Sequence, residues 1–423
     1  MNYYNDLNFI NLKYLVIIPI RGDFMENKWP KANMDFYKKA TDPFDEITIH
    51  NSGVLENDFY RYASNFYEAA LVLMNKLIGS ESKNTNIGQL DMWYYALIYL
   101  YRQSLELLLK ANIFKLVPNE QDRRDIVKLV RHDLKQAFDK IVEVTGLDIN
   151  TNKNTIWLSK FLEDISRIDR ESDMFRYPFG NDLRVLFEEQ THISLVATYY
   201  NMGRAFDLLN DFYKTNQFKK DTYQEYDPKL IVEGGEYYEQ SVVGYKYHRM
   251  AFHPYNRSYD ECATYLASKI KEECKDHLFM PMCYLYRNSI ELGLKKIIVE
   301  DSKYDSAKKL RILKRKKHSI QALYNSISDE LHEHDTNPND DTLTNVEHYI
   351  STFHNIDTTS DLFRYPCNNN LDVHFATPTE LDIDNVINCF QELINFLDCV
   401  SAMLSQIRDY EAEMEAEYRS CYS

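Results

Sequence analysis

The chain has 423 residues, 44% hydrophobic and 27% charged, apolar enough to bury one large core or two ordinary ones, and this excludes disorder as its main state. Only 11 Gly and 11 Pro interrupt it, so long regular elements, helices above all, are expected. Lys and Arg number 49 against 65 Asp and Glu, a formal charge of −16, which argues against duplex nucleic acid held by the overall field and leaves room for a local basic site.

In chain order, residues 1–56 form an N-terminal extension with two short β-like runs, Leu12 to Ile20 and Glu46 to His50. The apolar stretch Tyr14 to Ile20 lacks the basic start and small-residue cleavage site of a signal peptide. No window of about 18 apolar residues occurs, so no membrane-spanning helix is expected and the chain is expected to be cytoplasmic. A helical domain follows over 57–214, with helices at Asn57 to Leu77, Leu90 to Leu116, Gln121 to Val144, Thr155 to Ile168 (Thr155 as its N-cap) and Thr191 to Tyr213. Residues 215–256 are a linker with β-like runs at Lys229 to Val232 and Val242 to Tyr247, and the two β-bearing segments are expected to pair into a small sheet before each helical domain. A second helical domain, 257–408, has helices at Tyr259 to Cys274, Leu278 to Val299, Ser306 to Ile327, Leu343 to Phe353 and Thr379 to Arg408. The acidic tail 409–423 extends or frays the last of them.

These two domains are copies of each other. Tyr99 to Lys110 (YLYRQSLELLLK) recurs as Tyr284 to Lys295 (YLYRNSIELGLK), identical at nine of twelve positions. His132 to Ile141 recurs as His318 to Ile327, and DMFRYP (Asp173 to Pro178) as DLFRYP (Asp361 to Pro366). The offsets, 185, 186 and 188 residues, differ so little that both copies must build the same fold with the same connections. The class expected is all-α, two tandem helical bundles with small β-containing extensions.

The polar residues that recur are the candidates for function. Arg102, Glu106 and Lys110 stand at i, i+4 and i+8 on the central helix, as do Arg287, Glu291 and Lys295. An arginine emerging from an otherwise apolar helix needs an anion, from the protein or from a ligand. His132 and His318, preceded by Arg131 and Lys317, each begin an amphipathic segment, where an imidazole can cap a helix or transfer a proton. Arg176 and Arg364 follow an acid by three residues, the pattern of a salt-bridged loop anchor or a phosphate contact, with Tyr177 and Tyr365 beside them. The second copy alone carries a basic run, Lys308, Lys309, Arg311 and Lys314 to Lys317, which reads as a solvated helix face or a phosphate-binding patch. All seven cysteines lie in the second half, odd in number and without C-x-x-C, as reduced thiols do. Neither a metal site nor a cofactor-binding loop is expected.

The run R-x-S-x-E-L-x-L-K, followed after a charged connection by H-D-L, resembles the HEPN superfamily, all-helical domains of prokaryotic toxin, antitoxin and antiviral systems. The resemblance covers Tyr99 to Ile141 and, more faintly, Tyr284 to Ile327. It implies a helical bundle, frequent dimerisation and, in many members, metal-independent RNA cleavage by R-x(4 to 6)-H with a polar residue after the arginine. That spacing occurs here at Arg311 to His318, with Ile312 in place of the polar residue, while Arg124 to His132, Arg184 to His192 and Arg364 to His374 are too long. The expectation is therefore a protein of a defence or toxin-type system acting on RNA or nucleotides, with a protein partner or a second copy plausible and catalysis left open. Arg102, His132, Arg287 and His318 would be catalytic, and Arg176, Arg364, Tyr177, Tyr365, Arg311, Lys314 and Arg315 would meet phosphate or RNA. The alternative is a non-catalytic binding or scaffold protein in which the repeated residues are structural.

Overall fold

A computed structural model describes residues 28–423 apart from 81, 83–85, 180–186, 188, 220–222, 224, 225, 245–250, 336, 338 and 423, with backbone alone for 421 and 422. The run Leu12 to Ile20 and Arg184 lie outside the described residues. The fold is a mainly α-helical bundle. Its elements are β1 (Glu46–Ile49), α1 (Leu55–Ile78), α2 (Ile87–Met92), α3 (Tyr94–Leu116), α4 (Glu120–Val130), α5 (Leu134–Thr145), α6 (Lys153–Ile168), β2 (Thr191–Ser194), α7 (Leu195–Thr215) and β3 (Gln240–Val243). There follow α8 (Phe252–Glu273), α9 (Phe279–Lys296) with a π-helical turn at Ile297–Asp301, α10 (Ser306–Lys316), α11 (Ile320–Tyr324), α12 (Ser328–His334), α13 (Thr342–Ile356), β4 (Thr379–Asp382) and α14 (Ile383–Tyr422). No helix among the described residues is long and apolar enough to cross a membrane.

The helices follow the periodicity, and the breaks follow local chemistry that periodicity does not report. The amphipathic stretch expected over Gln121 to Val144 is two helices, because Asp133 caps α5 by accepting from the Gln136 N–H, while Asn119 caps α4. Ser306 to Ile327 divides in the same way at Ser319, which caps α11. Asn152, not Thr155, caps α6; the Thr155 hydroxyl lies inside the first turn and donates to the Ile149 and Asn152 carbonyls. The acidic tail continues α14 as helix.

The strands pair otherwise than expected. β3 is antiparallel to β2, which leads into α7, with Thr191 opposite Val243, and β1 forms a sheet with β4, which leads into α14. Among the described residues, the strands before the two helical domains thus pair with the strands leading into α14 and α7 and not with each other. Lys229 to Val232 is no strand; the Val232 carbonyl accepts from the Ser194 N–H, and the next residue, Glu233, forms an isolated bridge with Ile193.

The chain forms two compact units, each discontinuous in sequence. One is built from the described residues up to Ile47, Arg287–Ser360 and the chain from Glu380 on; the other from Thr48–Tyr286 and Asp361–Thr379. The boundary cuts across the repeat, since α8, the first part of α9 and the second DLFRYP belong to the larger unit. That unit is organised by α3, every side chain of which is buried from Tyr94 to Phe114, with α1, α5, α7 and α8 packed around it. A helix without Gly or Pro and with Leu and Tyr on most of its circumference is stable only when enclosed. The smaller unit closes around α13 and α14, where Phe36, Phe353 and Phe390 pack ring to ring.

Candidate functional site

Because α3 is enclosed, its polar stripe has to satisfy itself. Glu106 is buried and accepts from Arg102 Nη1 at 2.7 Å, Lys110 Nζ at 2.7 Å and the Tyr365 hydroxyl at 2.7 Å, with His132 Nδ1 at 3.1 Å. Burial alone would raise its carboxyl, but Lys110, His132 and Arg102 outweigh that and hold it well below the usual range. An ionised carboxylate has no proton to give, so Nδ1 of His132 carries the hydrogen of that bond. Nε2 is then the ring nitrogen left for solvent, and the His132 side chain is 31% exposed.

Arg102 fixes the histidine from its backbone side. Its Nη2 donates to the His132 carbonyl at 2.5 Å and to the Asp169 carbonyl at 3.3 Å, and its Nε lies 3.1 Å from the Asp169 carboxylate. The guanidinium is fully buried, and its charge is met by Glu106 and Asp169. It therefore sits one shell behind the imidazole, as a positioning group. Beside His132, between the start of α5 and the end of α6, opens a cleft of about 680 Å³. Its cations Lys135 and Arg170 are paired with Asp139 and Asp133, and Arg167 with Asp164, while Arg131 stands exposed next to the histidine.

The second copy repeats the construction. Arg287 Nη1 donates to Glu291, Lys295 Nζ donates to it at 2.7 Å, and His318 Nδ1 lies 2.9 Å from it. Arg287 Nη2 donates to the His318 carbonyl at 2.7 Å, and its Nε lies 3.4 Å from Asp357. Burial is again outweighed, here by Lys295, His318 and Arg287, and the Glu291 carboxyl is held well below its usual range.

The FRYP residues are placed differently from the histidines. Arg176 and Arg364 are buried, each beside its own acid: Arg176 lies 3.7 Å from Asp173 and Arg364 3.2 Å from Asp361. Arg176 also covers the Tyr177 ring at 4.8 Å and donates to its hydroxyl at 2.7 Å, while Arg364 covers the Tyr365 and Tyr284 rings. Tyr99 and Tyr284 stack between these loops with centroids 4.8 Å apart. Tyr365 reaches a histidine centre, and it is that of the other copy: its hydroxyl donates to Glu106 and lies 3.4 Å from His132 Nδ1, under Lys110. Arg311, Lys314 and Arg315 are exposed on α10, and Ile312 between them is buried.

Sequence reasoning passed over Glu106 and Glu291 as members of an ion-pair ladder and did not single out Asp169 and Asp357. The signal for the aspartates was present, since the FRYP repeat extends backwards as I-D-x-x-S-D, Ile168 to Asp173 and Ile356 to Asp361. Among the described residues no group of three or more His, Cys, Asp or Glu is arranged to hold a metal ion. The chain is thus a mainly α-helical protein with a duplicated glutamate–histidine centre. Comparison with known proteins finds no matching family model, no matching curated protein and no matching solved structure.

Proposed function

We propose that the Glu106–His132 and Glu291–His318 pairs are general acid–base centres, and that the chain is a HEPN-like ribonuclease of a prokaryotic defence or toxin-type system. One observation carries this reading: an imidazole at the mouth of a cleft has its Nδ1 hydrogen fixed by a buried, ionised carboxylate, which leaves Nε2 as the base. In the reaction, Nε2 takes the proton of an RNA 2′-hydroxyl as that oxygen attacks phosphorus. The P–O5′ bond breaks and the imidazolium returns the proton to the 5′-oxygen, leaving a 2′,3′-cyclic phosphate and a 5′-hydroxyl. Glu106 stabilises the imidazolium and Arg102 holds both in place. The step as written needs no metal. The test is incubation of the full chain with total RNA in EDTA: cleavage to cyclic-phosphate ends that the His132→Gln/His318→Gln variant loses supports the reading, and the absence of cleavage by the wild-type chain refutes it.

The burial of Arg102, Arg176, Arg287 and Arg364 beside the protein's own carboxylates favours a second reading, a non-catalytic binding or scaffold protein in which the repeated arginines are structural. In that case Arg102→Ala lowers the melting temperature and no RNA product appears.

A further inference from the structure

Each histidine follows a basic residue held in a backbone conformation that disfavours any side chain. Arg131 has φ 47° and ψ −103°, and Lys317 has φ 47° and ψ −106°. In the first copy the Asp133 N–H donates to the Val130 carbonyl at 2.8 Å; in the second the Ser319 N–H donates to the Lys316 carbonyl at 3.0 Å. Both are four-residue turns with the basic residue second, in the backbone conformation of a type II′ turn, where glycine is the usual occupant. A residue with a Cβ is strained there.

The two copies differ in the shape of this side chain and agree in its charge. Arginine offers a planar fork and lysine a point charge, so the shared property is a cation beside the histidine. Both side chains are exposed, and among the described residues no carboxylate lies within ion-pair distance of either. In the first copy Arg131 lines the cleft with His132, and the neighbouring cations Lys135, Arg167 and Arg170 each have a carboxylate. We propose that Arg131 and Lys317 are the residues that bind the phosphate of a nucleotide-type ester, held by the strained turn so that the anion is brought to the histidine. This deepens the reading above and rests on it for the substrate class. A competing role exists, because a cation at the C-terminal end of α4 or α10 also meets the helix's negative end; that role would make both residues stabilising.

The experiment titrates the full chain with adenosine monophosphate, and with adenosine as the control lacking phosphate. Loss of a charge-assisted contact predicts that Arg131→Gln/Lys317→Gln weakens adenosine monophosphate binding by about tenfold or more and leaves adenosine unaffected. The exchange Arg131→Lys/Lys317→Arg retains binding within about threefold. Arg131→Gly/Lys317→Gly loses binding to the same extent and melts about 2 °C higher, because the strain is relieved. Unchanged phosphate affinity in the Gln variant, or a Gly variant that melts lower than wild type, overturns the proposal. If the Gln variant loses binding while the wild-type chain cleaves no RNA, the ribonuclease reading fails and this assignment stands. If cleavage depends on the histidines but not on Arg131 and Lys317, this assignment fails and the ribonuclease reading stands.

Discussion

Glu106→Gln preserves the shape of the side chain at the centre of the first site and removes its charge. Lys110 and Arg102 then remain as buried cations. Arg102 keeps Asp169 and two backbone carbonyls, so most of the loss falls on Lys110, which keeps the face of the Tyr365 ring. Removing one partner of a buried ion pair destabilises by about 3–5 kcal/mol. The glutamine oxygen still accepts a hydrogen bond worth roughly 1 kcal/mol, which leaves an expected loss of about 2–4 kcal/mol. Lys110→Met in the same background takes away the unmatched charge, so the double variant should be more stable than the sum of the singles by about 2 kcal/mol. The assay is urea unfolding at neutral pH in a Trp29→Phe background, where the fluorescence comes from Trp93 and Trp157, both in the larger unit. A loss below about 1 kcal/mol, the range of exposed ion pairs, would refute the buried-network account, as would strict additivity of the double variant.

Tyr365→Phe deletes a hydroxyl donor to an ionised acceptor at 2.7 Å, and the same assay should show a loss of about 1.5–3 kcal/mol, although Tyr365 lies 259 residues from Glu106 in sequence. Glu106 and Glu291 have native carboxyls held well below the ordinary 4.5, so as pH falls through that value the unfolded chain takes up protons before the native one. Their stabilisation is complete above about pH 4.5 and is lost as pH falls further; melts between about pH 6 and about pH 3 should therefore decline less steeply for Glu106→Gln/Glu291→Gln, and an unchanged acid limb would contradict the assignment. In a Cys421→Ser background, an aromatic disulfide reagent should modify the exposed Cys274 first and reach Cys262 and Cys283 only on unfolding, because both are buried and burial pushes their thiols up.

Much of the fold was legible in the sequence because its signals are local. A stretch free of Gly and Pro with apolar residues on all sides reads as an enclosed helix, and α3 is one. Spacing of four residues puts Arg102, Glu106 and Lys110 on one stripe whatever surrounds the helix, since the helical repeat alone sets that geometry. The internal repeat also paired the two histidines, each in the same place after its Arg-Glu-Lys stripe. The helix breaks at Arg131 and Lys317 were not legible, because a basic residue in a glycine-type turn carries no compositional mark.

The sequence by itself determined a duplicated, mainly helical chain and the repeated polar residues from which a site could be made. Only the tertiary structure decided that a glutamate holds each imidazole while Arg102 and Arg287 hold the histidine backbone, that these arginines are matched by Asp169 and Asp357, and that Tyr365 from the second copy completes the centre of the first. The reason is range. Hydrogen bonding along one helix depends on residues four apart, whereas the partner of a buried charge is whichever group long-range packing brings to it, and many chain routes are compatible with the same local pattern.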